Sequence, residues 1–266
     1  MDNLNQLTVV KHNAIIDAGY RLSIYESRIL LTCISQINSM GEIGLNDSFT
    51  VTAQDLKGLV GLDDKNTYKQ LEKAADRLLH RLIVVNLPSD VILKTHWVSS
   101  VKYIKKSGKV ELKFAQDIIP YISQLRREFT KYRLNNILMF KSNYSIRIYE
   151  LLVKWGGNEK TITVEWLKDK FQLADKYTRI GNLKAKVLDI AVQEINQHSD
   201  MRVQYSQIKQ GRNVTGFKFQ YRLKSEPASK KPKIGSTLER KNKPRSGATF
   251  VHIADSLSKL KDAVKE

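Results

Sequence analysis

Residues 175–196 combine cationic and amide side chains with an apolar stripe at helical spacing. At about 100° per residue, Leu183, Val187, Ile190, Ala191 and Ile195 fall on one side, and Arg179, Asn182, Lys186, Asp189 and Gln193 fall on the other. Arg, Lys, Asn and Gln reach phosphates and base edges in a DNA groove. An ordinary amphipathic surface helix carries the same pattern, so this stretch alone leaves both interpretations open.

The segments on either side of this helix favour DNA binding. Residues 163–171 predict a short capped helix before it. Residues 201–205 and 214–221, rich in Val, Tyr and Phe, predict a β-hairpin with Lys209 and Arg212 at its tip. This order is that of a winged helix-turn-helix, whose second helix lies in the major groove and whose hairpin touches the DNA backbone.

The charge of the chain predicts a polyanionic partner. The 266 residues carry a formal net charge of +18, and nucleic acid is the commonest partner of so basic a protein. An anionic membrane surface is the alternative, although no apolar run approaches the roughly 18 residues of a spanning helix. The single cysteine, Cys33, excludes an internal disulfide framework, and no signal peptide is evident at the N-terminus. These features fit the cytoplasm.

The first half of the chain predicts mixed helices and strands. Ser23 and Glu26 form a capping box that opens a helix running to about Ile37. A long amphipathic helix is predicted over residues 66–81, after a short strand at residue 49 and a brief helix from residue 52. Strands are predicted over residues 82–87, 93–104 and 109–114, with Lys105 and Lys106 in a basic turn between the last two.

The second half repeats this order of elements. Helices are predicted over residues 117–125 and 143–155, and a strand over residues 161–164, before the helices and hairpin described above. Thr52, Leu56, Leu62, Asp64 and Lys65 recur as Thr163, Leu167, Leu173, Asp175 and Lys176, a constant shift of 111 residues. The predicted fold class is therefore α+β, with two tandem winged helix-turn-helix domains in a pseudo-twofold relation.

Four segments follow from this pattern. They are an N-terminal arm (1–22), a first winged-helix domain (23–115), a second winged-helix domain as the main DNA-binding unit (116–223) and a basic, disordered tail (224–266). Ser, Lys, Pro and Arg dominate the tail as far as residue 245, which is the composition of a disordered segment.

The sequence offers no sign of catalysis, cofactor or metal. It lacks the G-x-x-x-x-G-K-[ST] loop that cradles nucleotide phosphates, and it lacks a cysteine pair for zinc. Its five histidines form no His-x-His pair of the kind that a rolling-circle nicking enzyme uses beside its nucleophilic tyrosine. Eleven tyrosines are present, but none has a recognisable metal site to activate its electrophile.

Several segments resemble a known family. Residues 22–31 (LSIYESRILL), 67–78 (TYKQLEKAADRL) and 144–152 (YSIRIYELL) are similar to segments of the plasmid replication initiators that bind iterons. Tyr177, Leu183, Lys184, Val187, Leu188, Ala191, Glu194 and Ile195 follow the family's second recognition helix, and Ile208, Gly211, Arg212 and Phe217 follow its wing. The resemblance covers residues 7–222 and not the tail.

The resemblance implies a function without catalysis. Such initiators bind iterons, which are direct repeats in double-stranded plasmid origin DNA, as monomers. They often repress their own gene as homodimers on an inverted repeat, through the first domain. Origin melting and recruitment of the host replication initiator and the replicative helicase follow. A dedicated transcriptional repressor is the alternative, and a rolling-circle nicking initiator is a further one.

The expected DNA contacts come from both halves. In the second domain, Arg179, Asn182 and Lys186 are predicted to face the groove, with Tyr177 and Lys184 beside them. Lys209 and Arg212 in the wing are predicted to bind phosphate. In the first domain the predicted contacts are Lys65, Asn66, Lys69, Lys73, Lys105 and Lys106. Residues 170–222 hold ten Lys and Arg against four Asp and Glu, an excess that suits phosphate neutralisation.

Overall fold

The segment predicted as an N-terminal arm contributes to the core. The computed structural model of the chain describes residues 7–55 and 67–224. It begins with β1 (Thr8–His12), α1 (Asn13–Ile16) and β2 (Gly19–Tyr20). Val9, Ile15 and Ile16 are buried. β1 pairs with a strand more than a hundred residues further along the chain. The predicted limits of the four segments stay predictions.

The first long helix begins where its sequence predicts. α2 (Ile24–Ser35) starts at the N-cap Ser23, whose hydroxyl accepts from the Glu26 N–H, while the Glu26 carboxylate accepts from the Ser23 N–H at 2.9 Å. Burial opposes ionisation of Glu26. Hydrogen bonds from Arg81, the Ser23 backbone and Arg77 outweigh it and hold the pKa of this carboxyl below its ordinary value of 4.5. The helix buries Cys33 as predicted.

The first half then forms two small antiparallel sheets. β3 (Phe49–Thr52), α3 (Thr67–Leu78), β4 (Leu82–Asn86), β5 (Ile92–His96), β6 (Val98–Ile104) and β7 (Lys109–Phe114) follow in order. The sheets have the orders β2-β4-β5 and β3-β7-β6. The single strand predicted over residues 93–104 is wrong, because the chain passes from one sheet to the other at the fully buried Trp97.

A short connecting region joins the two halves. The helix predicted over residues 117–125 is instead a 3-10 segment, Gln116–Tyr121, with Pro120 inside it. β8 (Phe129–Arg133), which was not predicted, pairs antiparallel with β1. Beneath this ribbon, Lys11 and Glu150 form an ion pair at 2.5 Å with both side chains 1% exposed.

The second half contains one three-stranded sheet. Its elements are α4 (Asn143–Trp155), β9 (Glu159–Thr163), α5 (Val164–Lys170), α6 (Ile180–Leu183), a π-helical turn (Lys184–Leu188), α7 (Asp189–His198), β10 (Met201–Gln210) and β11 (Asn213–Leu223). The sheet order is β9-β11-β10, with the second hairpin strand in the centre.

The two halves repeat one topology, as predicted. In each half a long helix is followed by a strand, a further helix and a hairpin, and the order β3-β7-β6 matches β9-β11-β10. The repeated threonines have equivalent roles: Thr52 accepts from the Asp55 N–H at 2.9 Å, and Thr163 accepts from the Trp166 N–H at 3.0 Å. The first half differs by the additional hairpin β4–β5 between α3 and β6.

Two buried arginines hold the halves together reciprocally. Arg28 of α2 donates to the carbonyls of Leu138 and Phe140, just before α4, at 3.2 and 2.8 Å. Arg147 of α4 donates to the carbonyls of Ala18 and Tyr20, just before α2, at 2.9 and 3.2 Å. A pseudo-twofold relation predicts such an exchange, and it makes one body of the two halves.

Candidate nucleic-acid interface

Aromatic contacts shape the turn before the long helix of the second half. The two halves are called the first and the second unit from here on. α5 ends at Lys170, and Tyr144 of α4 stacks on Phe171 with ring centroids 5.9 Å apart. Tyr144 also meets the ring of Tyr177 edge-on at 6.4 Å. Tyr177 has φ of 53°, a left-handed conformation that no helix can contain. The helix predicted from residue 175 therefore begins only at Ile180, directly after Arg179.

The side chains predicted to read bases lie at the accessible start of this helix. Arg179 is the residue before the first turn, and Asn182 and Lys186 follow on α6 and the π-helical turn; all three are exposed. Tyr177 and Lys184 are half-buried beside them. The helix thus presents a cationic and amide surface, which suits hydrogen bonding to base edges and phosphates.

The π-helical turn changes which residues are buried. Leu183, Val187, Ala191 and Ile195 are buried as predicted, but Ile190 is half-exposed and Leu188 is fully buried. A π turn contains more residues than an α turn, so each residue advances less around the axis. Leu188 consequently comes onto the core face, and Ile190 leaves it.

The hairpin β10–β11 is fixed to the helix at its base. The Asn196 side chain exchanges two 2.8 Å hydrogen bonds with the backbone of Val203. At the other end, Gly211, with φ of 61°, makes the tight turn that joins the strands. Lys209 and Arg212 are exposed on either side of this turn. The hairpin therefore projects two cations at its tip, as a wing does.

The second winged-helix unit carries cationic side chains that form no ion pair among the described residues. Lys218 pairs with Glu159 at 2.8 Å, so part of the cationic excess is neutralised within the sheet. Arg179, Lys186 and Arg212 form no ion pair with any other residue that the structure describes. These three groups are available to an anionic ligand.

The first unit carries a comparable surface. Lys69 and Lys73 are exposed on α3, and Lys105 and Lys106 are exposed in the turn between β6 and β7. Gly108 closes that turn with φ of 60°, and a Cβ added there would lie 3.8 Å from the Tyr68 ring in the first turn of α3. The turn and the start of the helix are therefore neighbours. The predicted contacts Lys65 and Asn66 lie outside the described residues, as does the predicted tail apart from Lys224.

One contact at this interface was not predicted from the sequence. The Tyr205 hydroxyl, on β10, donates to the carboxylate of Asp189 on α7. The sequence places Asp189 on the polar side of the helix, but the docking of the hairpin, which is a tertiary feature, decides its partner.

The described residues offer neither a metal cluster nor a membrane span. Residues 7–55 and 67–224 contain no group of three His, Cys, Asp or Glu side chains placed to hold a metal ion. Within the same ranges, no helix combines the length and apolar composition needed to span a lipid bilayer.

The repeated topology and the cationic helix and hairpin surfaces define a tandem winged-helix protein. The chain belongs to the Initiator Replication protein family: its first winged-helix model, WH1, matches residues 8–153, and the second, WH2, matches residues 163–221. The family consists of DNA-binding plasmid replication initiators that are not catalytic enzymes, in agreement with the prediction.

Individual relatives cover most of the chain. A replication initiation protein of Escherichia coli is 28% identical over 229 residues, which is 83% of this chain and 71% of the relative. The PI protein of Escherichia coli is 25% identical over 259 residues, 83% of this chain and 85% of the relative. The crystal structure of the Pi initiator protein in complex with iteron DNA matches with a TM-score of 0.71 at 22% identity, over 84% of this chain and 99% of that one, and so has the same fold.

Proposed function

We propose that this chain initiates plasmid replication by binding direct repeats in its origin as a monomer, with both winged-helix units on one repeat. The observation that carries the proposal is the repeated topology, in which each unit presents exposed cations on a helix and on a hairpin turn. The Pi initiator protein, of the same fold, was crystallised on iteron DNA, and this supports the assignment of the ligand.

In the second unit, the helix start supplies the sequence reading. Arg179 and Asn182 suit bidentate hydrogen bonds to guanine and adenine edges, while Lys186 suits guanine or a phosphate. Tyr177 and Lys184 lie at the margin of the groove, and Lys209 and Arg212 bind the flanking backbone. Phosphate contacts fix the register of the protein on the duplex, and base contacts specify the sequence.

In the first unit, Lys69, Lys73, Lys105 and Lys106 make a second contact with the same repeat, together with Lys65 and Asn66. The reciprocal bonds of Arg28 and Arg147 support this proposal, because they tie the two units to each other. Two units held in this way reach successive major grooves on one side of the duplex, about 10 base pairs apart.

We propose that a homodimer of the same chain represses its own gene on an inverted repeat. The hairpin β4–β5 supports an interface here, because Leu82, Val91 and Ile92 are 53%, 53% and 58% exposed and β5 is an edge strand. Ile92→Lys should shift sedimentation to the monomer and preserve binding to a single repeat. Met139→Lys, at an equally exposed methionine in the connecting region, is the matched control. An unchanged dimer in Ile92→Lys would contradict this interface.

Opening of the origin and recruitment of the host initiator and replicative helicase complete the proposal, and they take place in the cytoplasm, where plasmid DNA lies.

Arg179→Ala separates sequence-specific binding of the repeat from general DNA binding. It should weaken binding to a repeat by about 1–3 kcal/mol and relax the preference at one base pair. Equal losses on the repeat and on random DNA would remove Arg179 from base reading.

Deletion of the gene distinguishes initiation from dedicated repression. A plasmid that lacks the gene should fail to replicate, whereas continued replication would favour a dedicated transcriptional repressor. Incubation of supercoiled origin DNA with the protein and a divalent metal should give no relaxed product. A tyrosine-linked DNA end would instead reveal a nicking initiator.

A further inference from the structure

Asp189 and Tyr205 join the proposed reading helix to the wing. Asp189 is the first residue of α7, directly after the π-helical turn, and its carboxylate accepts a 2.5 Å hydrogen bond from the Tyr205 hydroxyl. The only other side-chain hydrogen bonds that the described residues make between this helix and β10 are those of Asn196 to Val203, nearer the base. The hairpin is therefore held to the helix at two levels, and β11 also pairs with β9 along Gly216–Gln220.

The ring of Tyr205 has a packing role that does not need its hydroxyl. It lies edge-on to Phe217 at 5.7 Å and tilted against Phe219 at 6.0 Å, and both phenylalanines are buried in the sheet. Burial and the neighbouring Asp189 raise the pKa of the Tyr205 hydroxyl above its ordinary value of 10.0, which is the direction expected for a hydroxyl that donates to a carboxylate. The hydroxyl and the carboxylate themselves lie near the surface, where such a bond adds little to folding stability.

The position of the pair gives it leverage over the wing tip. From Tyr205 to the end of β10 are five residues, or about 17 Å of strand at about 3.3 Å each. Because β11 is paired with β9, the relevant motion is a tilt of the whole sheet against the helix, and a tilt of about 10° with its pivot at Tyr205 would move the tip by about 3 Å. This displacement equals the whole length of a hydrogen bond to phosphate, about 2.7–3.2 Å. A tilt of the sheet at this level would therefore release Lys209 and Arg212 from the DNA backbone.

We propose that Asp189 and Tyr205 form a positioning pair, which holds the wing at the angle where Lys209 and Arg212 bind phosphate while the helix reads bases. The pair also turns the Asp189 carboxylate towards a donor on the protein, although it lies on the polar side of a helix directed at phosphates. The inference rests on the proposed binding of repeated DNA. It assigns the coupling between base and phosphate contacts to two residues that touch neither.

A double-mutant cycle of Tyr205→Phe with Arg212→Ala tests the proposal. The probes are a duplex with one protected repeat from the gene's flanking DNA and a random duplex of equal length, each titrated over a salt series. Tyr205→Phe should lower the salt slope on the repeat by about one to two, because each phosphate that the wing releases lowers the slope by about one. Arg212→Ala should then have little further effect in the Tyr205→Phe background, because its bond to phosphate is already absent.

Three variants separate positioning from folding. Asp189→Asn keeps an acceptor for the Tyr205 hydroxyl and should keep the wild-type salt slope. Asp189→Ala removes the acceptor and should lower the slope as Tyr205→Phe does. Tyr221→Phe removes another tyrosine hydroxyl of the same hairpin, one that donates to the Gly156 carbonyl at the base. It should leave the slope unchanged even if it lowers the melting temperature, which is measured for every variant.

The outcomes are distinguishable. A wild-type slope in Tyr205→Phe, with the full effect of Arg212→Ala, would overturn the positioning pair and leave the proposed function intact. Equal binding of the wild-type protein to the repeat and to random DNA would overturn both, because no base reading would exist for the wing to be coupled to.

Discussion

Replacement of Arg147 by methionine should weaken the energetic coupling between the two winged-helix units. Arg147 is 2% exposed, and its guanidinium donates to the carbonyls of Ala18, Tyr20 and Lys170, at 2.9, 3.2 and 3.2 Å. It also lies 3.6 Å from the centre of the Tyr20 ring. Methionine replaces the aliphatic stem of the side chain and removes every one of these interactions.

The expected cost follows from those contacts. A hydrogen bond from a charged donor contributes about 1.5–3 kcal/mol, and a desolvated cation–π contact adds about 2 kcal/mol. Relaxation and apolar packing of the methionine offset part of the sum, so we expect a loss of about 3–5 kcal/mol, since the buried carbonyls lose their donor. That is a large share of the roughly 5–15 kcal/mol that stabilises a typical domain.

Urea unfolding followed by tryptophan fluorescence measures this loss. Trp97 reports on the first unit, and Trp155 and Trp166 report on the second, so single-tryptophan variants reveal whether the units still unfold together. Arg179→Met, which removes an exposed guanidinium, should stay within about 0.5 kcal/mol of the wild type. A stability of Arg147→Met within about 1 kcal/mol of the wild type, with coincident transitions, would refute the claim that Arg147 couples the units.

Three further predictions concern charge, pH and backbone packing. Arg212→Ala should lower the salt slope of DNA binding by about one, whereas Lys131→Ala, an exposed cation on β8, should leave the slope unchanged in the same titration. Because the pKa of Glu26 lies below 4.5, its carboxylate contributes stability at higher pH and loses it as pH falls through the lowered value; Glu26→Gln should lack this acid-dependent part in unfolding experiments from about pH 7 to about pH 3. Gly216→Ala should cost about 1–3 kcal/mol in thermal unfolding, since its Cβ would lie 2.6 Å from a backbone oxygen of β9. Gly181→Ala meets no atom within 4 Å and should not destabilise the protein; equal effects of the two glycine changes would contradict the packing argument.

Elements with local signals were predicted well. The capping box of Ser23 and Glu26 set the start of α2, and the pair Gly156-Gly157, both with positive φ, set the end of α4 at Trp155. The hairpin of the second unit was likewise recognised from its turn and its two apolar runs. In each case the residues that decide the boundary lie within a few positions of it.

Elements that depend on distant partners were missed. β8 has only two inward residues, Thr130 and Tyr132, and its partner β1 lies more than a hundred residues earlier, so the local pattern is too short to identify it. The division at Trp97 depends on the separation of two sheets, which alternation along one strand does not reveal.

The features of the candidate interface also fall into those that local sequence predicts and those that depend on tertiary packing. The exposure of Arg179, Asn182 and Lys186 agrees with helical periodicity, because Arg179 and Asn182 precede the π-helical turn and Lys186 lies before its end. The burial of Leu188 did not follow, since no residue type announces an inserted residue in a helix. The bond between Asp189 and Tyr205 could not be predicted either, because it arises only when the hairpin packs on the helix.

Footprinting of the DNA that flanks the gene tests the central claim most directly, at physiological salt and with competitor DNA. We expect several evenly spaced protected repeats, each covering two successive major grooves on one side of the duplex, because both units of one chain bind each repeat. Protection of one groove per repeat would contradict the joint action of the two units. A single protected inverted repeat over the promoter, or no specific protection at all, would contradict initiation at repeated origin sites.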